Sequence, residues 1–344
     1  MRKRSWMLLG ALVWAACGLV VACGSKGAGF QPGDGGVGGN GDATVEGGAS
    51  SSGASSSGAG SDGSGSGSGG SFGDGSLPDG SSCSPPQMLI VLDHTDSMSD
   101  APNGSQPANT DAGHAKTKWV LATDAIKALV APPADTKLAF GLELFPLDPA
   151  TVTDAGGTGK CQTLTALLGG TNSNNTSCQP AEVPIAPAEG TGNAITALLD
   201  PETLRLCVST PIALALATAK AELAAIAIPN VAQYVLLVTD GAETCKGDVV
   251  AAAQALAAEG IKTYVVGFGA ADAGAAGVDT TLLDQAACAG ETAIGFPTPC
   301  SQTDAGYTAT TTKGAPIFYL AEDGTSLQTE LQTITSKLCC GCAQ

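Results

Sequence analysis

Positive charge is scarce in this 344-residue chain: 15 Lys and Arg stand against 32 Asp and Glu, a formal net charge of −17. A chain this acidic has no electrostatic footprint for nucleic acid, and it repels anionic lipid headgroups. Histidine is nearly absent, with two residues, His94 and His114. No P-loop lysine motif is present, and no G-x-S-x-G nucleophile elbow stands between a strand and a helix. A nucleophile needs a positioned base, and no pattern here places one. The chain is therefore expected not to be an enzyme. No internal repeat is visible.

Cysteine, by contrast, is plentiful, with 12 residues, which fits an oxidising compartment. The first 22 residues carry a basic start (Arg2, Lys3, Arg4) and a long apolar run. That pattern is a secretory signal, although its length alone would also suit an uncleaved anchor. Val20-Val21-Ala22-Cys23 resembles a bacterial lipobox, which implies cleavage before Cys23 and lipidation of that cysteine. In a Gram-negative cell the same resemblance implies, from Gly24 and Ser25 with no Asp after the Cys, the outer membrane and cell surface. Loss of Arg2, Lys3 and Arg4 takes the charge from −17 to −20, so the lipid must do the anchoring. Ten cysteines remain: Cys83, Cys161, Cys178, Cys207, Cys245, Cys288, Cys300, Cys339, Cys340 and Cys342. The spacing in Cys339-Cys340-Gly341-Cys342 is not a zinc-knuckle pattern, and disulfides are the better reading.

Residues 23–82 begin with the lipidated cysteine and continue as a Gly/Ser-rich linker holding 22 of the 47 glycines. Too few apolar side chains are present to bury a core. A coil of this length reaches about 40–45 Å, enough to lift a folded part off a lipid surface. From residue 83 to 344 the composition is that of one globular α/β domain. Strands are expected at Met88–Leu92, Lys137–Phe145, Val183–Ala186 (a short edge strand), Tyr234–Thr239, Ile261–Phe268 and Pro316–Leu320. Helices are expected at Lys116–Ala131, 192–200, Pro211–Ile226, Asp248–Glu259, Thr280–Ala289 and Ser326–Leu338. Residues 146–192 and 290–314 read as loops. The alternation predicts a doubly wound, Rossmann-like, mainly parallel six-stranded sheet with helices on both faces.

Two apolar strands end abruptly in an aspartate, L-I-V-L-Asp93 and L-L-V-T-Asp240. In an open α/β sheet, ligands bind at the carboxyl ends of the strands, where the strand order reverses. Two carboxylates in one crevice repel unless a cation or proton lies between them. Thr95 and Ser97 follow Asp93 at alternate positions, and Thr210 opens the long helix after Ser209. Small oxygen-bearing side chains of this kind suit one hard cation. A haloacid-dehalogenase-type phosphatase would need a second Asp at position 95, where this chain has threonine. His94 and His114 are read as polar residues rather than ligands or bases.

Together these residues resemble a von Willebrand factor type A domain with a metal-ion-dependent adhesion site. The family pattern is D-x-S-x-S after the first strand, a Thr in a later loop, and an Asp in a T-D-G turn. Asp93, Ser97, Thr210 and Asp240 match it. Thr95 replaces the usual first serine, and Asp96 replaces the usual glycine between the hydroxyls. The resemblance covers roughly 83–340. It implies that Asp93, Thr95, Ser97, Thr210 and Asp240 hold Mg²⁺, or alternatively Ca²⁺ or Mn²⁺. It also implies a protein ligand whose acidic group completes the metal shell. Asp96 would either strengthen cation binding, repel an acidic ligand, or face solvent. Two other functions stay open: a metal-free structural or assembly component of the envelope, and a metal-dependent hydrolase. On this fold Cys207 and Cys245 would lie on the metal edge and bridge each other. Cys161 would pair with Cys178, Cys288 with Cys300, and Cys83 with one of Cys339, Cys340 or Cys342. In integrin-type relatives the last helix slides to change affinity. A disulfide at its end would oppose that slide and make the site constitutive.

Overall fold

The run Q-M-L-I-V-L-D forms the centre of the sheet, buried along its whole length on both faces, as a strand of a parallel sheet requires. The computed structural model describes residues 84–147, 161–170, 178–179, 181–200, 205–271, 277–310 and 314–338. The chain divides into two units, Met1–Asp74 and Gly75–Gln344, and every described residue lies in the second. The signal segment, Cys23, the linker and the expected Cys83 pairing with Cys339, Cys340 or Cys342 lie outside the described residues. No described helix is long and apolar enough to cross a membrane.

In chain order the elements are β1 (Gln87–Asp93), α1 (Asp111–His114), α2 (Lys118–Leu129), β2 (Ala139–Phe145), β3 (Gln162–Thr163), α3 (Leu164–Leu168), β4 (Glu182–Ala188) and α4 (Gly192–Leu198). They continue with β5 (Arg205–Leu206), α5 (Ile212–Ala225), β6 (Gln233–Thr239), α6 (Val249–Ala257), β7 (Lys262–Phe268) and α7 (Thr280–Ala289). A hairpin of β8 (Cys300–Thr303) and β9 (Gly306–Ala309), then β10 (Tyr319–Ala321) and α8 (Gly324–Ser336), complete the order. The main sheet has six strands in the order β10-β7-β6-β1-β2-β4. All pairings are parallel except that of β4 with β2.

Alternation along β1 sends its side chains into two cores. Met88, Ile90 and Leu92 meet Trp119 and Ile126 of α2 and Leu327, Leu331 and Ile334 of α8. Leu89 and Val91 meet Leu216 and Leu223 of α5, Leu256 of α6 and Leu283 of α7. Strand β4 carries Pro184 and Pro187, which cannot donate to a ladder, and it takes the edge where that defect is harmless. Pro187 lies so close to β2 that a Cβ on Gly141 would fall 2.5 Å from its ring, which fixes glycine there. Gly260 adopts φ +79° just beyond α6, the left-handed stop expected of it.

Three stretches differ from the sequence expectation. Residues expected as loop over 290–314 contain the β8–β9 hairpin, with Cys300 opposite Ala309. The last strand starts later than Pro316. The Ile317 amide donates to the Asp284 carboxylate of α7 at 2.7 Å, and the Ile317 carbonyl accepts from Ile294, so these groups are withdrawn from any sheet ladder. The stretch 146–192, also expected as loop, holds β3 and α3, with Thr163 capping α3.

Glu143 is the least expected side chain in the sheet. It sits on β2 between Leu142 and Leu144, on the face covered by α5, and is fully buried. Neither of its carboxylate oxygens has a hydrogen-bond partner among the described residues. Burial first, and the charge of Glu222 second, push its pKa well above the usual carboxylate value. A raised folded-state pKa means that stability is greatest below the unfolded value and falls as pH rises through the folded value. Glu143→Leu is therefore expected to stabilise the fold at pH 8 by about 1–3 kcal/mol, and by less near pH 4. Urea unfolding at the two pH values measures this.

Candidate metal centre

Strands β1 and β6 are hydrogen-bonded neighbours, with Leu92 opposite Val238. Asp93 ends β1 and Asp240 follows β6 directly, so both carboxylates arrive at one sheet edge. This is the point where the strand order reverses, because β1 is flanked by β2 on one side and β6 on the other. Both aspartates are buried. Asp93 accepts from the Thr95 amide at 2.9 Å through one oxygen and from the Thr239 hydroxyl at 2.6 Å through the other. Burial and the nearby Asp240 charge outweigh these bonds and push the Asp93 pKa from 3.8 to about 7.

After Asp93 the chain turns through a single 3-10 turn, Asp96–Ser99, with Thr95 in extended conformation before it. That turn brings alternate hydroxyls to one side. Thr95 Oγ1 and Ser97 Oγ are 2.8 Å apart, and Ser97 Oγ donates to Asp240 Oδ1 at 2.9 Å. Thr210 joins from the loop before α5. Its amide donates to Thr244 Oγ1 at 2.7 Å, and the Thr244 amide donates back to the Thr210 carbonyl at 3.1 Å. A Cβ on Gly241 would stand 3.9 Å from Thr210 Oγ1, so this hydroxyl borders the residue after Asp240. All five expected site residues thus meet at one edge.

Four further residues belong to this edge and were not singled out from the sequence. Thr239 holds Asp93, and Thr244 holds Thr210, as above. Glu243 accepts from the Ala213 amide at 2.9 Å and from the Cys245 amide at 2.6 Å, which supplies the first turn of α5 with a carboxylate where a helix favours one. Lys118 opens α2, and its Nζ lies 2.5 Å from Asp240 Oδ2 with both side chains fully buried. A lysine at the first position of a helix opposes the helix dipole; that misplacement was the one sequence signal for it.

His94 is buried beside Asp93, with its ring nitrogens on the backbone carbonyls of Arg205 and Pro146. It ties the turn after Asp93 to β5 and to the residue that follows β2. His114 likewise meets Asn109 Oδ1 at 2.8 Å. Asp96 is half-buried, and its pKa is raised by burial, then by Asp100 and Asp240.

The disulfides correct two expectations. Cys161 pairs with Cys207 and Cys178 with Cys245; Cys207 does not pair with Cys245, nor Cys161 with Cys178. The reason lies in the backbone. Cys207 is fastened to the Asp93 turn by bonds from its amide to the His94 carbonyl (3.1 Å) and from the Asp96 amide to its own carbonyl (2.6 Å). It also lies directly after β5, whose pairing with β3 carries Cys161 beside it. Cys288 pairs with Cys300, as expected.

The donor set is two carboxylates and three hydroxyls, all hard oxygen. Among the described residues no cluster of three His, Cys, Asp or Glu side chains could hold a metal; the hydroxyls are what make this set suit a cation. Two buried carboxylates at this edge face a single lysine, so ionised Asp93 leaves a negative charge that fits a cation, with Asp93, Thr95, Ser97, Thr210 and Asp240 as the residues that would hold it.

A family model for the von Willebrand factor type A domain matches residues 205–291. That span contains Thr210 and Asp240, and the sheet joins it to the Asp93 stretch. No curated protein gives a significant match. Among solved structures, the chain is similar to the conserved hypothetical protein BatB from Bacteroides thetaiotaomicron, at 17% identity over 74% of this chain and 98% of that one, with TM-score 0.41. It is similar to proximal thread matrix protein 1 from the mussel byssus, at 15% identity over 73% of this chain and 46% of that one, with TM-score 0.43. It is similar to the manganese-loaded TRAP protein of Plasmodium vivax, at 14% identity over 73% of each chain, with TM-score 0.39.

Two outcomes follow from this geometry. The contribution of Asp93 to metal-free stability is complete below its unfolded pKa of 3.8 and is lost as pH rises through about 7. In EDTA, the drop in melting temperature from about pH 5 to about pH 8 is expected to shrink in Asp93→Asn. Replacing both Cys178 and Cys245 by serine is expected to cost about 2–4 kcal/mol of stability, read from denaturant unfolding under non-reducing conditions.

Proposed function

We propose that this von Willebrand factor type A domain is a non-enzymatic binding module. It recognises a protein ligand through a divalent cation held at Asp93, Thr95, Ser97, Thr210 and Asp240. Lipidated Cys23 and the linker display it from the bacterial envelope, at the outer membrane or cell surface. The observation that carries the reading is the convergence of those five residues at one sheet edge, linked by the Thr95–Ser97–Asp240 contacts. Mg²⁺ is the preferred ion, with Ca²⁺ and Mn²⁺ as alternatives, because oxygen donors select hard cations. When bound, the ion supplies the positive charge that draws in an acidic group of the ligand.

The chain's own residues do the remaining work. Asp93 and Asp240 provide the charge that attracts the cation. Thr239 and the Thr95 amide orient Asp93. Ser97 orients Asp240, and Thr244 sets the loop that carries Thr210. A second reading, a metal-free structural component of the envelope, is favoured by one contact, the ion pair of Lys118 with Asp240. Hydrolysis has no comparable support, since the imidazole beside Asp93 is directed at backbone carbonyls.

Calorimetric titration of the full chain with Mg²⁺, Ca²⁺ and Mn²⁺ separates the readings. Asp93→Ala and Asp240→Ala are each expected to weaken binding by at least about tenfold. A chain that binds none of the three ions returns the function to the metal-free reading.

A further inference from the structure

The surroundings of Lys118 go beyond what the donor set requires. Its amide donates to the Asp100 carbonyl at 2.8 Å, which fixes the start of α2 against the loop that follows the Asp93 turn. Its side chain then runs inward past Gly269, where an added Cβ would lie 3.7 Å from Lys118 Cδ. The ammonium ends 2.5 Å from Asp240 Oδ2, with no exposure to solvent on either side chain. Beyond this ion pair, the ammonium has no hydrogen-bond partner among the described residues, and neither has Asp240 Oδ2. Asp240 is therefore divided between two neighbours: Ser97 donates to Oδ1, and Lys118 faces Oδ2.

A buried ammonium is a costly way to open a helix. It opposes the helix dipole, its burial is unfavourable unless paired, and removing its partner would leave an uncompensated charge. What it achieves is neutralisation of Asp240 at short range. Its charge also reaches Asp100, whose carboxyl is raised by burial and drawn back down by Lys118. The ammonium therefore acts where a bound cation would act, on the carboxylate the proposed metal site needs.

We infer that Lys118 is the resident cation of this site: its ammonium neutralises Asp240 while no divalent ion is bound, and an incoming divalent ion must displace it. The inference rests on the metal-binding reading above and adds a regulatory element to it. Two cations on one buried carboxylate repel each other. The long, flexible stem of lysine lets the ammonium leave without unfolding the helix. The site can then fold and persist without metal, and its divalent affinity is set lower than the same oxygens would give alone.

The test compares the full chain with Lys118→Met, which keeps the stem and removes the charge, using Mn²⁺ alone as the probe. Lys118→Met is expected to bind Mn²⁺ at least about tenfold more tightly than the unsubstituted chain, and to gain more melting temperature from it. Equal or weaker binding by a folded Lys118→Met overturns the inference while leaving the metal-binding reading intact. No Mn²⁺ binding by either chain overturns both.

A second measurement needs no substitution. Reductive methylation followed by mass spectrometry is expected to spare Lys118 in EDTA and to modify it at saturating Mn²⁺. Protection that persists when Mn²⁺ is bound overturns the inference, even if Lys118→Met fails to fold.

Discussion

Two carboxylates buried at the ends of adjacent parallel strands are the constraint around which this molecule is arranged. The register of β1 against β6 sets Asp93 and Asp240 at the same edge, and neither can be moved without shifting the whole sheet. Like charges in a poorly solvated crevice must be relieved by protons, hydrogen bonds or cations. All three forms of relief are visible. Asp93 is drawn towards its protonated form. Thr239, the Thr95 amide and Ser97 donate to the two groups. Lys118 brings a positive charge from the start of α2. The hydroxyls have two roles, since the same oxygens that donate hydrogen can offer lone pairs to a hard cation.

The main plan of the fold was legible because it rests on local signals that agree with one another. Buried apolar runs alternating with helical periodicity lead to one architecture. The site was legible for a similar reason: an aspartate closing an apolar strand is a local pattern, and the sheet brings two such patterns together. Lys118 was harder to recognise, because nothing within its own helix pairs with it and its partner is 122 positions away by residue number. Glu243 and Thr244 act through loops whose proximity only the fold establishes. The hairpin β8–β9 was hidden in the sequence C-S-Q-T-D-A-G-Y-T-A, where polar residues outnumber the apolar ones that mark a strand. Strand β8 is mostly exposed, while β9 is half-buried and lays Tyr307 and Ala309 against the core on the α7 side.

Cysteine pairing failed for a different reason. The expectation that Cys207 and Cys245 would bridge directly assumed that two loops on one edge must need a covalent link. They do not, because Thr210 and Thr244 exchange two hydrogen bonds and Glu243 fastens the turn to α5. With the ligand loops already joined, their cysteines are free to hold something else, and each holds one cysteine of the stretch 146–192.

This division of labour bears on how the edge keeps its shape. The positions of the oxygens are set by short hydrogen bonds within and between the 93–97, 210 and 240–244 segments. Two of the disulfides fasten the stretch 146–192 to these segments, at Cys207 and at Cys245. Covalent bonds that close loops act largely on the unfolded chain, so they add persistence without dictating where a hydroxyl points. Geometry and durability therefore come from different bonds. Hydrogen bonds place each Thr and Ser at the edge, while the surrounding chain is held through sulfur.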